Sequence, residues 1–530
     1  MLPPQSVEHA VAQRRLTVDC GGQGHVKVRQ ANAGLSRRNP EDGLLLEATG
    51  EARDRGTAPL SALDHGSVAL HSVFQSRLQM FKLFNLASIP KSLAEVTMRA
   101  PEVDPRRVGV DRAGVEAIWS AVERFYKTGL QPALQLCVRR RGEVLIDRAI
   151  GHAAGNGPAD PPDARKQLLT TDTPFCLFSA SKAVTAMVVH LLDQQHLLHV
   201  NDPVSEYVPE FAKHGKQRVT IEHVLTHRAG IPNMPPEEMK LDNLAKPERI
   251  VQLLCDAEPT WPPGRRLAYH AITGGFILAE VVKRVTGKSI RAVLEAEILK
   301  PLGFRWMNYG VKPHDVSKVA RNYFSGPRPL PPFAALSRRA LGVEFTDVPE
   351  LANDPRYLTA IVPAGNVVSN AHELSRFYQL LLNEGELDGI RIFEPRTIHR
   401  ATSEQSYLEF DLTLSVPTRY SMGFMLGGFG FYGPDTPQAY GHLGFINIVA
   451  WADPERQVAA ALTNSGKPLF LPEIYFLYDI MRQIGRACAK ETSAARRPYP
   501  ATKRPRSATL PRSRRAAKKP AQRPLPAAVG

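Results

Sequence analysis

Phe178-Ser179-Ala180-Ser181-Lys182 sets a hydroxyl and an amine three residues apart, just before an almost unbroken apolar run: Ala183, Val184, Ala186, Met187, Val188, Val189, Leu191 and Leu192. The run is too long and alanine-rich for one strand and holds neither Gly nor Pro, which predicts a helix buried on most sides. Ser179 then falls in the first turn, with Lys182 on the same face. The positive end of the helix dipole favours negative charge developing beside that serine. A lysine forced into an apolar surround tends to lose its proton and serve as a base. Nucleophile beside base is the recipe for covalent catalysis. Alone the pattern is weak, since Ser-x-x-Lys arises by chance on the order of once in such a chain. It recurs as Ser88-Ile89-Pro90-Lys91, where the proline argues against helical presentation. A simple helix N-cap is the competing reading of Ser179.

The surrounding elements follow from period and punctuation. Gly109 to Tyr126 has Val115, Ile118, Trp119 and Val122 on one helical face. Ala133 to Val138, a turn through Arg141-Gly142, and Val144-Leu145-Ile146 read as a hairpin. Helices are predicted over Gly274 to Thr286, ended by Gly287, and over Glu373 to Asn383, ended by Gly385. Near the end, Tyr440 to Phe445 precedes Ile446 to Trp451. A turn at Asp453-Pro454-Glu455-Arg456 joins these to Val458 to Leu462, and Phe470 to Ile484 closes as an amphipathic helix. Strands come from both ends of the core with helices between, so a sheet joining the two ends around an inserted helical part is the simplest arrangement.

Composition bounds the rest. The chain of 530 residues carries a net charge of +15. The segment from Ala489 to Gly530 holds twelve Lys/Arg and one acid, Glu491, and so supplies +11, leaving only +4 elsewhere. The expected organisation is an N-terminal arm over 1–105, poorly ordered with short helices, a globular domain over 106–487, and a disordered basic tail over 488–530. The charge therefore does not mark the folded part as a specific nucleic-acid binder. A solvated tail, or weak contact with a polyanion or anionic membrane, is what it implies. Five scattered cysteines (Cys20, Cys137, Cys176, Cys255, Cys488) include no Cys-x-x-Cys pair and suggest neither a disulfide framework nor a cysteine zinc site. The first thirty residues show no apolar run of signal-peptide length, and nothing approaches ~18 uninterrupted apolar residues, so a cytoplasmic location is expected.

In order along the chain stand Phe178-Ser179-Ala180-Ser181-Lys182, Thr226-His227-Arg228-Ala229-Gly230-Ile231-Pro232, Pro263-Gly264 leading to Tyr269, Pro363-Ala364-Gly365, and Gly441-His442-Leu443-Gly444 with Asp453-Pro454-Glu455-Arg456. This ordered set resembles the serine β-lactamase and penicillin-binding-protein superfamily, and within it the class C β-lactamase-like (family VIII-type) esterases, over roughly Val108 to Arg486. The resemblance implies an α+β, transpeptidase-like fold with a central antiparallel sheet flanked by helices and an inserted, mainly helical subdomain. It further implies Ser179 as acylated nucleophile, Lys182 as proton-transfer partner, and Tyr269 as general base, its phenolate favoured by the lysine. The oxyanion hole would be the backbone N–H groups of Ser179 and Phe445, with His270, Leu443 and Gly444 against the substrate.

Two departures from the β-lactamase pattern point toward esters. Tyr269-His270-Ala271 lacks the asparagine of Tyr-x-Asn, and His442-Leu443-Gly444 lacks the lysine and threonine of Lys-Thr-Gly. Losing an amide clamp and a fixed cation weakens carboxylated amide substrates more than neutral esters. His442 stands either to polarise the site or protonate a leaving group, or as a structural strand histidine. His223 and His227 have helical spacing but no intervening glutamate, so no zinc site is read there, and no Gly-x-Ser-x-Gly elbow is present. The expectation is a serine hydrolase needing no metal or organic cofactor, a carboxylesterase on small or medium acyl esters. A β-lactamase or D-Ala-D-Ala carboxypeptidase is the alternative within the superfamily, and a non-catalytic ligand- or partner-binding relative the alternative outside it. Oligomeric state is not legible.

Overall fold

A computed structural model describes residues 85–491 apart from positions 332, 429, 446 and 470. Most of the N-terminal arm and nearly all of the basic tail lie outside the described residues. The main sheet is built from β1 (Thr97–Arg99), β2 (Ala133–Arg140), β3 (Glu143–Ala154), β4 (Met425–Leu426), β5 (Tyr440–Gly444), β6 (Ile448–Asp453) and β7 (Val458–Asn464). Its order is β1-β3-β2-β7-β6-β5-β4, and the pairs along it are antiparallel. The two predicted hairpins meet at β2 and β7, registered from Leu134 opposite Asn464 to Arg140 opposite Val458. One sheet therefore ties the two ends of the core together. The tight turn between β2 and β3 has both Arg141 and Gly142 at positive φ, the backbone a two-residue hairpin requires. Thr97–Arg99, within the stretch read as the N-terminal arm, adds an edge strand to β3.

Side chains alternate across this sheet as the pleat demands. Leu134, Leu136, Val138, Val449, Trp451, Ala460 and Leu462 enter one apolar cluster, while Cys137, Ala450, Ala452, Ala459 and Ala461 enter the other. Covering the first face are α1 (Arg112–Lys127) and the C-terminal helix, Leu471–Ala487, whose Phe125 and Phe476 rings stack 5.8 Å apart. Beneath the second face lie α2 (Ser181–Gln194), α3 (Thr273–Thr286) and α4 (Ala371–Leu382). Small alanines on that face let helices approach closely. In α2 every residue from Ser181 to Asp193 is buried, as the apolar run predicts.

Candidate active site

A short strand, Phe175–Cys176, pairs with Val367–Ser369 and delivers the chain to a single 3-10 turn, Phe178–Ala180, that runs straight into α2. Ser179 sits in that turn, half-buried, and makes no capping hydrogen bond to the helix. Its neighbour Phe178 has φ +47°, a left-handed conformation rare for an aromatic residue. Such strain persists only where packing over-determines it. Leu177 is bonded through its N–H to Val367 O (2.8 Å), and Ser181 Oγ accepts from Val367 N (2.9 Å). Gly444 at the end of β5 lies so close to Leu177 that any Cβ there would overlap the Leu177 carbonyl. Only glycine lets strand and turn touch. By contrast, Ser88 and Lys91 of the second Ser-x-x-Lys pattern are exposed in irregular chain.

Lys182 Nζ lies 3.2 Å from Ser179 Oγ, 2.7 Å from Ala271 O and 3.1 Å from Ala364 O, and the side chain is 9% exposed. Burial without a carboxylate partner pulls its pKa from 10.5 down to about 7. Ala364 belongs to the Pro363-Ala364-Gly365 motif, whose use now becomes physical. Thr185 Oγ1 donates to Pro363 O, Lys182 to Ala364 O, and Tyr357 Oη to Gly365 O. Gly275 of α3 allows the close approach, because a Cβ there would lie 2.6 Å from Ala364 N.

Lys182 Nζ stands 4.6 Å from the ring centre of Tyr269, and Ser179 is near enough to that phenol to pull its pKa down slightly. Burial drives the phenol above its ordinary 10. Burial works against the expected phenolate, and by bringing Lys182 to about 7 it also weakens the charge that would favour it. The Tyr269 ring packs 4.7 Å from that of His227, and its backbone N–H donates to Asp411 Oδ1 (3.0 Å). Asp411 Oδ1 also accepts from Thr413 N and Leu414 N, so one buried carboxylate fixes the Tyr269 segment to a distant loop. Sequence reading missed Asp411, which lies in no motif. His227 it met only as part of Thr226-His227.

His442 is buried on β5, its ring centre 6.4 Å from that of Tyr269. Its Nδ1 faces Leu443 O at 2.7 Å. A carbonyl only accepts, so Nδ1 carries the proton and Nε2 the lone pair. Burial, helped by Lys182, pushes its pKa down to about 3. A neutral ring in that tautomer presents a lone pair, not a proton, at Nε2. His270 is fully buried; its Nδ1 faces Ala268 O (2.7 Å) and its Nε2 accepts from Ile231 N (3.3 Å). Both nitrogens are thus committed to backbone. Leu443 packs with Tyr269, Tyr420 and Met425, and Gly444 against Leu177. None of His270, Leu443 and Gly444 lines the apolar cavity beside Ser179. Beside the two backbone amides expected to form an oxyanion hole, the Phe178 and Phe445 rings stack with their centres 5.1 Å apart.

That cavity, about 150 Å³, opens at Ser179 and runs between Phe178, Phe445, Ala271 and Phe276 toward Met234, Met239, Leu244 and Leu341. Its lining is mainly apolar. The charged lining residues are Glu238, ion-paired with Arg249, and Lys240, which is exposed.

A family model described as Beta-lactamase matches residues 121–474. The chain belongs to the β-lactamase family. Over 344 residues, 61% of this chain and 77% of the relative, it is 29% identical to the esterase/beta-lactamase LipL of Mycobacterium tuberculosis. A crystal structure of a penicillin-binding protein homolog from Caulobacter crescentus superposes with a TM-score of 0.61 at 25% identity, covering 72% of this chain and 99% of that one. The structure of a family VIII carboxylesterase does so with a TM-score of 0.59 at 26% identity, covering 70% and 98%. The mixed helix and antiparallel-sheet architecture is the fold of this family. Among the described residues no helix is long and apolar enough to cross a membrane.

Proposed function

We propose that this protein is a serine hydrolase that cleaves neutral carboxylic esters through an acyl-enzyme on Ser179. The observation carrying this reading is the surround of Lys182 Nζ: two carbonyl oxygens and one hydroxyl, with burial holding the group near pKa 7. A neutral amine has two N–H bonds and one lone pair. The carbonyls of Ala271 and Ala364 take the two donors, and the lone pair is left for the Ser179 proton. Ser179 Oγ attacks the ester carbonyl as its proton passes to Lys182. The N–H groups of Ser179 and Phe445 hold the resulting oxyanion, each such donor being worth roughly 3 kcal/mol. Collapse breaks the bond to the alcohol oxygen, which takes a proton relayed from Lys182 through the Tyr269 hydroxyl. Water then gives its proton to the same pair, attacks the acyl-enzyme and frees the acid and Ser179.

The position of the cavity sorts the two halves of the ester. Its lining includes Ser179 and Phe445 but neither Tyr269 nor His442. The alcohol must leave on the side of the proton relay, so the apolar cavity receives the acyl chain. A protein cavity of about 150 Å³ holds one benzene ring, which corresponds to acyl groups of roughly six to eight carbons. The similarity to the esterase/beta-lactamase LipL and to a family VIII carboxylesterase supports the ester reading.

The test is hydrolysis of p-nitrophenyl esters from acetate to dodecanoate, beside a chromogenic cephalosporin, by wild type and Ser179→Ala. Turnover peaking at hexanoate to octanoate and lost in Ser179→Ala is the expected result. Cephalosporin turnover above ester turnover would replace this reading with a β-lactamase. No turnover of either, with no labelling by a fluorophosphonate, would point to a non-catalytic relative.

A further inference from the structure

Behind the turn that carries Ser179 lies a second buried lysine that the reaction above does not use. Lys467 is 0% exposed, and its Nζ stands 5.1 Å from the Phe178 ring centre. Three oxygens surround it: Asn464 O at 2.9 Å, Asn464 Oδ1 at 2.8 Å and Asn447 Oδ1 at 3.2 Å. None of these can donate, given that the amide nitrogens of both asparagines are bonded elsewhere. Asn464 Nδ2 donates to Asn447 O (2.6 Å), and Asn447 Nδ2 to both Gly466 O and Glu473 Oε1 (2.7 Å each). Gln131 completes the set, with Nε2 on Gly466 O and Glu473 Oε1 and Oε1 accepting from Gly466 N. Three acceptors require the three N–H bonds of an ammonium. Glu473, buried at the start of the C-terminal helix, completes the network; burial raises its pKa to about 8, against the hydrogen bonds from Asn447 and Gln131 and the charge of Lys467.

This network touches both halves of the oxyanion hole. Phe178 immediately precedes Ser179, and Asn447 lies two residues past Phe445. Phe178 and Phe445 both hold left-handed backbone, φ +47° and +41°, and their rings stack on each other. Neither residue adopts that conformation without support. Phe345 supports Phe445 from one side, with rings 4.7 Å apart. The Lys467 ammonium supports Phe178 through its ring face, an interaction strengthened by the absence of water.

We propose that Lys467 is a positioning residue: anchored by Asn447, Asn464 and Glu473, it holds the Phe178–Ser179 turn and the Phe445 segment at the separation that points both amides at one oxygen. This rests on the reading of Ser179 as nucleophile. Lys467 does not touch the substrate and transfers no proton.

The experiment compares wild type, Lys467→Met, Glu473→Gln and Ser179→Ala for kcat, KM and inhibition by a phenylboronic acid, whose tetrahedral adduct uses the oxyanion hole. Lys467→Met keeps most of the apolar stem but neither the terminal N–H donors nor the charge. It is expected to lower kcat by about 100-fold, the scale of one lost oxyanion donor, with KM changed by less than about threefold. Boronate affinity should fall in parallel with kcat/KM, which a general loosening of the fold would not produce. If Lys467→Met does not fold, Glu473→Gln, which keeps the hydrogen-bond acceptor and removes the ionisable carboxyl, is expected to lower kcat about tenfold with the same split. A folded Lys467→Met with wild-type kcat and boronate affinity, or, failing that variant, an unaffected Glu473→Gln, overturns the proposal while inactive Ser179→Ala leaves the nucleophile assignment standing. Ester turnover retained in Ser179→Ala overturns that assignment instead, and this proposal with it.

Discussion

Activity should titrate with Lys182, and the surround of that residue sets the pH at which it does so. A drop in pKa from 10.5 to about 7 corresponds to about 5 kcal/mol against the ammonium form, at roughly 1.36 kcal/mol per pH unit. The neutral amine is the reactive form, so log kcat/KM should rise with unit slope below pH ~7 and level off above it. At pH 5 the neutral fraction is about one per cent, and kcat/KM should lie about 100-fold below its plateau. The neighbouring histidines cannot mimic this bend. Burial pulls His270 to about 4, His442 to about 3 and His227 well below its ordinary value. Lys467, brought by burial also to about 7 with Glu473 opposing, would bend the profile the other way, since its charged form is the one that positions the turn. The assay is therefore p-nitrophenyl hexanoate hydrolysis from pH 5 to 9 for wild type and Lys467→Met. Both profiles should bend near 7, the variant on a lower plateau. A wild-type profile flat within about threefold over that range, a bend above 9, or a bend lost in Lys467→Met would refute the reasoning. The same shift bears on stability, with a definite sign. Between about 7 and 10.5 the unfolded chain still holds a proton that the folded chain has released, so the Lys182 contribution to stability rises with pH across that window and is constant below it.

Gly444→Ala should abolish ester hydrolysis while leaving a folded protein by circular dichroism. Its new Cβ cannot share space with Leu177 O, and displacing the nucleophile turn by about 1 Å costs on the order of 100-fold in rate. Asp411→Ala should lower both kcat and the thermal midpoint, because three backbone N–H groups lose one buried acceptor at a cost of about 3–5 kcal/mol, whereas Asp411→Asn keeps Oδ1 and should lose much less. Equal damage from the two Asp411 variants, measured by thermal melts, would count against the hydrogen-bond account.

Local signals carried the fold a long way. The α2 run, the Arg141-Gly142 turn and the Asp453-Pro454 turn each encode their own conformation, and alternation along β2, β6 and β7 left little choice about a two-faced sheet. Thr97–Arg99 escaped because three residues show no period. At the site, Ser179 and Lys182 were legible as neighbours because one helix turn fixes their distance. What holds Lys182 neutral was not, because its partners are the carbonyls of Ala271 and Ala364, and a backbone oxygen looks the same in every residue type. Asp411 acts from 142 residues beyond Tyr269 with no motif to announce it. Nor could the motifs announce that the His270 ring is committed to Ala268 O and Ile231 N, or that Gly444 is spent on contact with Leu177.

Two buried lysines, one against Ser179 and the other against the ring of Phe178 beside it, show that burial alone does not decide what an amine does. Both are pulled toward 7 by loss of water. Lys182 meets two pure acceptors and one hydroxyl that can itself donate, so the neutral form satisfies every partner and leaves a lone pair at Ser179. Lys467 meets three pure acceptors, with a carboxylate one asparagine away, so only the ammonium satisfies them. The count of acceptors, rather than the depth of burial, assigns one lysine to move a proton and the other to hold its position.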